Sequence, residues 1–315
     1  MIKLSSIVAY IQIFLTIIAL AATSNAKIES AAKSKASIAC LPDGVVEIVD
    51  GRVVVHEDGT MVKHENDLSA LEQWENIVYV TASWDGILCA INKDGVVHFD
   101  GTSDYRLKNV LGDVSEKCVY KKIVMGDHMI ATLDDQGKVA AISLFTADDS
   151  LFYERDKIIN QWENVVDVAA NDNVVAVLFE DGTIDYVADG SYNFKFADIR
   201  EWKDIMAIEG ARGDCIAGLS IDGKVLVSGH GTCNLISYHS ALQWENIVQI
   251  SKKCSYALLG LKNDGTVVIS GGVSEKNKQN LAEWKDIVEI ASGEFFCAGI
   301  TKDGMIMIEK LEPIR

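Results

Sequence analysis

The sequence predicts an all-β fold, a seven-bladed β-propeller built from repeats of 40 to 46 residues, on three observations: a recurring aromatic motif, a recurring Asp-Gly step, and short apolar runs around both. The stretches Gln73-Trp74-Glu75-Asn76-Ile77-Val78, Gln161-Trp162-Glu163-Asn164-Val165-Val166 and Gln243-Trp244-Glu245-Asn246-Ile247-Val248 are near copies. Trp202-Lys203-Asp204-Ile205-Met206 and Trp284-Lys285-Asp286-Ile287-Val288 are close variants, and Tyr120-Lys121-Lys122-Ile123-Val124 fills the gap between Trp74 and Trp162. Trp74, Tyr120, Trp162, Trp202, Trp244 and Trp284 are therefore read as one structural position, a large aromatic packed between sheets.

The second marker is Asp94-Gly95, Gln136-Gly137, Asp181-Gly182, Asp222-Gly223, Asp264-Gly265 and Asp303-Gly304. Such a step supplies the positive φ angles of a tight hairpin turn, so each joins two antiparallel strands. With the strand after each aromatic, every repeat holds at least three strands, here called a, b and c. A tighter first unit, from Val45 to His64 with turns at Asp50-Gly51 and Asp58-Gly59, makes seven. Helical periodicity is confined to the c-to-a connections, such as Asp67 to Gln73 and Asn277 to Glu283, each able to hold about a turn of helix. One such sheet cannot bury both faces, whereas sheets packed radially can. The last repeat ends at Glu309, so residues Ser37 to Leu41 are expected to donate its outer strand, closing the ring with the N- and C-terminal strands together.

The remaining organisation follows from composition. Lys3, the apolar run Ile7 to Ala22 and Ser24-Asn25-Ala26 read as a signal peptide over residues 1–26, an uncleaved membrane anchor being the alternative. Residues 27–36 read as a flexible tether and 37–315 as the propeller, secreted or extracytoplasmic and monomeric. The net charge of −17 and the lack of a Lys/Arg cluster exclude nucleic acid as a partner. No CxxC spacing occurs among the 7 cysteines, and Cys89, Cys215 and Cys297 read as buried thiols in equivalent apolar strands.

The pattern Trp-x-x-Ile-Val-x-Ile, then a strand such as Gly260-Leu261-Lys262-Asn263-Asp264-Gly265-Thr266-Val267-Val268, resembles the regulator of chromosome condensation repeat family. The resemblance runs over about residues 43 to 311 and is closest in 244 to 272 and 284 to 309. It implies a seven-bladed propeller, and secreted members imply recognition of an enzyme through one face. The family's Gly-x-x-His turn is altered here: Gly293-Glu294-Phe295-Phe296 lacks the histidine and Arg212-Gly213-Asp214-Cys215 has diverged further.

No His-Glu-x-x-His, Gly-x-Ser-x-Gly, P-loop or dinucleotide fingerprint occurs, so no catalytic residue, metal or cofactor is expected and the chain reads as a binder rather than an enzyme. Function is sought where repeats differ. The a-to-b turns carry Trp84, Asp85, His128, Asp172, Arg212, Lys253, Phe295 and Phe296, a mixture of aromatic and charged residues suited to a protein interface. The expected function is recognition of an extracellular protein through that face, an enzyme bound in the manner of an inhibitor being one such partner. Glycan or cell-surface polymer binding is one alternative, and a hydrolase or lyase with a site at the central channel is another.

Overall fold

The computed structural model describes residues 39–40, 46–47, 53–55, 61–63, 77–82, 88–100, 119–126, 129–143, 157–171, 174–188, 197–210, 215–229, 238–251, 257–293, 296–303 and 305–311. The segments read as signal peptide and tether lie outside them. Among the described residues the strands form seven sheets, the first with four strands and the others with three. Sheet 1 holds β1 (Ala39–Cys40), β2 (Val46–Glu47), β3 (Val53–Val55) and β4 (Met61–Lys63); sheet 2 holds β5 (Ile77–Ala82), β6 (Leu88–Asn92) and β7 (Val97–Asp100). Sheet 3 comprises β8 (Tyr120–Met125), β9 (Met129–Asp134) and β10 (Val139–Ser143), and sheet 4 comprises β11 (Val165–Ala170), β12 (Val174–Phe179) and β13 (Ile184–Ala188). Sheet 5 is β14 (Ile205–Gly210), β15 (Cys215–Ser220) and β16 (Val225–Gly229), and sheet 6 is β17 (Ile247–Ser251), β18 (Ala257–Lys262) and β19 (Val267–Gly271). Sheet 7 is β20 (Ile287–Gly293), β21 (Phe296–Thr301) and β22 (Ile306–Lys310). Helix α1 (Glu275–Ala282) joins sheets 6 and 7, and a 3-10 turn, Ala197–Glu201 or Ala241–Gln243, precedes sheets 5 and 6.

Sheets 2 to 7 are antiparallel in the order a-b-c, as the repeat predicts. The expected ring closure is corrected: β1 pairs with β2 and β3 in sheet 1 rather than adding to sheet 7. The reason is arithmetic of strands. With three strands per sheet, sheet 7 is complete with β22 and needs no donor.

Burial explains the strand sequences. The middle strands are largely apolar up to the residue that enters the turn because both faces are covered: Val174, Ala176 and Leu178 of β12 pack toward sheet 5, while Val175 and Val177 pack toward sheet 3. Each seam between consecutive sheets from 2 to 7 thus has its own apolar cluster. Tryptophans sit in these seams; Trp162, Trp202 and Trp284 are buried and Trp244 is partly so. The rings of Trp202, Trp244 and Trp284 lie over Gly218, Gly260 and Gly299, where an added Cβ would come within 2.8, 2.9 and 3.0 Å of them. Before each described tryptophan the chain makes one helical turn: the N–H groups of Trp162, Trp202, Trp244 and Trp284 donate to the carbonyls of Ile159, Ile199, Ala241 and Leu281, all buried.

Two sequence readings change. Tyr120 is not the counterpart of tryptophan. Its N–H donates to the Gly95 carbonyl at 3.1 Å, as Ile205 donates to Gly182 and Ile287 to Gly265 at 3.0 Å, so Tyr120 stands where the other repeats have Ile or Val. A tyrosine can fill a buried β position as well as a capping one, and three residues of slip were invisible without the tryptophan. The Asp-Gly turns are also different in type: only the glycine has positive φ, 76° at Gly95 and 79° at Gly265. Asn92 O accepts from Gly95 N–H while Asn92 N–H donates to Val96 O, which is a type I turn closed by a glycine bulge.

Among the described residues other than glycine, the left-handed ones are Asn164, Asp204, Asn246 and Asp286, with φ of 55 to 61°. Asn and Asp tolerate this conformation best among residues with a Cβ. Each lies just ahead of an a strand, where its carbonyl accepts from the b-to-c turn of its own sheet: Glu180, Ile221, Asn263 and Lys302 donate at 2.8 to 3.1 Å. The turn glycine of the preceding sheet seats against the same residue, leaving 3.2 Å from a Cβ on Gly182 to Asp204 Cα and 3.1 Å from one on Gly265 to Asp286 Cα. The Trp-x-Asn/Asp and Asp-Gly motifs are two halves of one joint between neighbouring sheets.

Cysteine chemistry divides what the sequence grouped. Cys89 and Cys297 are buried thiols, but Cys215 is disulfide-bonded, correcting its reading as a thiol. Burial pushes the Cys89 thiol up from 9.0 to about 12. Above pH ~9 the unfolded chain therefore loses a proton that the native chain keeps, and stability is expected to fall by about 1.4 kcal/mol per pH unit toward pH ~12. Urea midpoints of the parent and Cys89→Ala between pH 8 and 10 measure this. Equal slopes would mean that Cys89 is not the group responsible.

Candidate binding face

Strand direction sorts the connections. Because a, b and c alternate in sheets 2 to 7, each of their b-to-c connections lies at one end of its sheet, while the a-to-b connections and the exits of c lie at the other. The b-to-c end is uniform. Where the residue entering the turn is Asn92, Asp134, Ser220 or Thr301, its side chain accepts from main-chain N–H groups of the turn. In sheets 4 and 6, where Phe179 and Lys262 stand there, Asp181 and Asp264 take over by accepting from Thr183 and Thr266. These threonine hydrogen bonds hold both carboxyls below their ordinary pKa.

At the opposite end, Trp84, Asp85, His128, Asp172, Arg212, Lys253 and Phe295 lie outside the described residues. Phe296 opens β21, with its side chain outside the description. The structure does describe their anchor points, and these interlock. Gly126, after β8, is so close to Asn171 that a Cβ would stand 2.2 Å from the Asn171 carbonyl oxygen. Asn171 is itself buried, accepting from Val174 N–H at 2.9 Å and donating to the Cys215 carbonyl at 3.4 Å. Farther round, Ser251 Oγ and Ser292 Oγ are 3.0 Å apart and buried. The residues flanking these turns thus interlock between neighbouring sheets.

Exposed apolar side chains gather at the other end. Val166, Met206 and Val248 occupy the same position, the residue bulged out between the first two pairings of strand a, and are 52%, 38% and 37% exposed. Val96, Val119, Ile221 and Met305 add to them beside the turns. The sequence reading had missed this surface, although the Val or Met after each Trp-x-x-Ile step was its signal.

A second set missed by the sequence follows the bulge by one residue: Tyr79, Lys122, Asp167, Ala207, Gln249 and Glu289. First strands of consecutive sheets lie against one another, so these residues form the inner layer. Lys122 Nζ meets Asp167 Oδ1 at 2.6 Å across the seam of sheets 3 and 4. Burial pulls the Lys122 pKa down, but the Asp167 and Glu209 carboxylates outweigh it and hold the ammonium above the ordinary lysine value. Among the described residues no group of three or more His, Cys, Asp or Glu is placed to hold a metal ion, and no helix is long and apolar enough to cross a membrane.

This architecture is similar to solved structures. The CRINKLY WD40 ectodomain of the Arabidopsis thaliana receptor kinase ACR4 matches at 12% identity over 90% of this chain and 98% of that one, with a TM-score of 0.54. The ectodomain of the Physcomitrella patens receptor kinase CR4 matches at 10% identity over 82% and 69%, TM-score 0.57. Yeast RCC1 (Prp20), in its complex with Kap60, matches at 16% identity over 74% and 70%, TM-score 0.50. The fold is an RCC1-like β-propeller. No family model and no curated protein sequence matches the chain. The three-stranded sheets 2 to 7 accordingly correspond to blades with the a strand innermost, and the seam residues Trp162, Trp202, Trp244 and Trp284 are contacts between neighbouring ones.

Proposed function

We propose that this propeller has seven blades closed into a ring, is exported, and binds a protein partner through the face carrying the a-to-b turns, without catalysing a reaction. The observation that carries the reading is the contrast between the two ends: one main-chain hydrogen-bond scheme repeated at the described b-to-c turns of sheets 2 to 7, and, at the other end, sequence-variable turns flanked by interlocked residues. Two of the similar structures are receptor-kinase ectodomains and the third is RCC1 bound to Kap60, which supports protein recognition as the use of such a scaffold. The disulfide at Cys215 supports export, since such bonds persist in oxidising compartments. A second reading, favoured by exposed Val166, Met206 and Val248, puts the docking surface at the b-to-c end.

One experiment separates them. Residues 27–315 are used as bait against the extracellular fraction, and the recovered protein is titrated against two variant sets. Truncating Trp84, Phe295 and Phe296 to alanine is expected to weaken binding by about thirtyfold or more per hot-spot residue, with little change in melting. Val166→Lys with Val248→Lys should leave affinity unchanged. The reverse pattern would move the site to the b-to-c face, and a glycan-array signal with no protein partner would replace protein recognition by polymer binding.

A further inference from the structure

The innermost strand of a blade has one edge without a neighbouring strand, leaving main-chain groups to be satisfied at the centre of the molecule. One register position meets that need. Tyr79 Oη donates to the Ile123 carbonyl at 2.9 Å, so blade 2 holds the inner strand of blade 3. Asp167 Oδ2 accepts from Ile208 N–H at 3.3 Å, so blade 4 holds blade 5. Gln249 does both at once: its Nε2 donates to the Ile290 carbonyl at 3.0 Å and its Oε1 accepts from Ile290 N–H at 2.9 Å. Lys122 joins blade 3 to blade 4 through Asp167 instead. Ala207 cannot form a hydrogen bond through its side chain, and that seam, between blades 5 and 6, is the one whose apolar cluster includes the disulfide-bonded Cys215.

Glu289 occupies the same position in blade 7, partly buried like Gln249 and on the face that points to the next blade. In a ring that next blade is the first. The sequence there, Val45-Val46-Glu47-Ile48, repeats Ile287-Val288-Glu289-Ile290 almost letter for letter, and β2 lies against β20. We propose that Glu289 is the closing latch of the propeller, its carboxylate accepting from a main-chain N–H of the first blade's inner strand as Asp167 accepts from Ile208. This rests on the closed-ring reading. Glutamate suits the position because a carboxylate accepts strongly and its longer side chain reaches farther than aspartate.

Hydrogen exchange on the full chain tests it. Glu289→Ala should speed exchange in peptides covering β2 and β20 by about tenfold while leaving β12 unchanged. Glu289→Gln, which retains an acceptor, should keep parental rates, and Glu289→Lys, which has none, should exchange as alanine does. Should the alanine variant fail to fold, the Gln and Lys pair carries the comparison. Gln249→Ala should loosen β20 but not β2. Parental protection of β2 in Glu289→Ala and Glu289→Lys would overturn the latch and leave the ring standing; rapid exchange of β2 already in the parent would overturn the ring itself.

Discussion

Replacing Trp284 by alanine is expected to lower stability by about 3–5 kcal/mol, the cost of truncating a buried large aromatic. Trp284 is 4% exposed and lies in the seam cluster of blades 6 and 7 with Leu259, Val267, Ile287 and Leu311. Its ring covers Gly299, which has no side chain to fill the space if the ring is removed. Its N–H also ends helix α1 on the Leu281 carbonyl, so the cavity would open under the only described helix that spans this seam. Relaxation around the site is limited because two sheets and a helix meet there. Trp244, only partly buried, should cost less on the same change. Urea unfolding of both variants checks the order; a Trp284→Ala protein with the parent's midpoint would remove the tryptophans from the structural role assigned to them.

Gly126→Ala is expected to cost about 3 kcal/mol although it adds a single methyl group. An added Cβ would stand 2.2 Å from the Asn171 oxygen and 2.4 Å from its carbonyl carbon, both main-chain atoms. Side chains can rotate out of such a contact, but main chain must be displaced. Asn171 is poorly able to move, because its N–H donates to Val174 O, its side chain accepts from Val174 N–H, and its amide donates to the Cys215 carbonyl. Overpacking of this kind costs ~1–3 kcal/mol and sometimes more. Gly272→Ala is the comparison, since nothing lies within 4 Å of a Cβ there, and it should be close to neutral. Denaturant midpoints of the two variants decide the matter. Equal midpoints would mean that the contact at Gly126 is loose. A contact that yields would also weaken the proposed binding face, whose a-to-b turns such residues flank.

What the chain's own sequence determined was the periodic part of the structure. The Trp-x-Asn/Asp-Ile and Asp-Gly markers are legible because the same joint is built at the seams between sheets 3 and 7, and one chemical solution recurs there: a residue tolerant of left-handed backbone against a glycine that admits it. The apolar middle strands are legible for a similar reason, being covered on both faces. Tertiary structure decided whatever depends on neighbours distant in the chain. Tyr120 could be assigned only from the Gly95 carbonyl it bonds, because its residue type suits two positions equally. β1 joined sheet 1 because strand pairing depends on which edges remain open, and a complete third strand left none in need at the last blade. Cys215 and Cys89 look alike in sequence, yet one is cross-linked and the other is a buried thiol, a difference set by which side chain each meets across the fold. The inner residues from Tyr79 to Glu289 share no residue type at all. What they share is a register position facing an unpaired main-chain edge, and any side chain able to donate or accept there satisfies the same requirement.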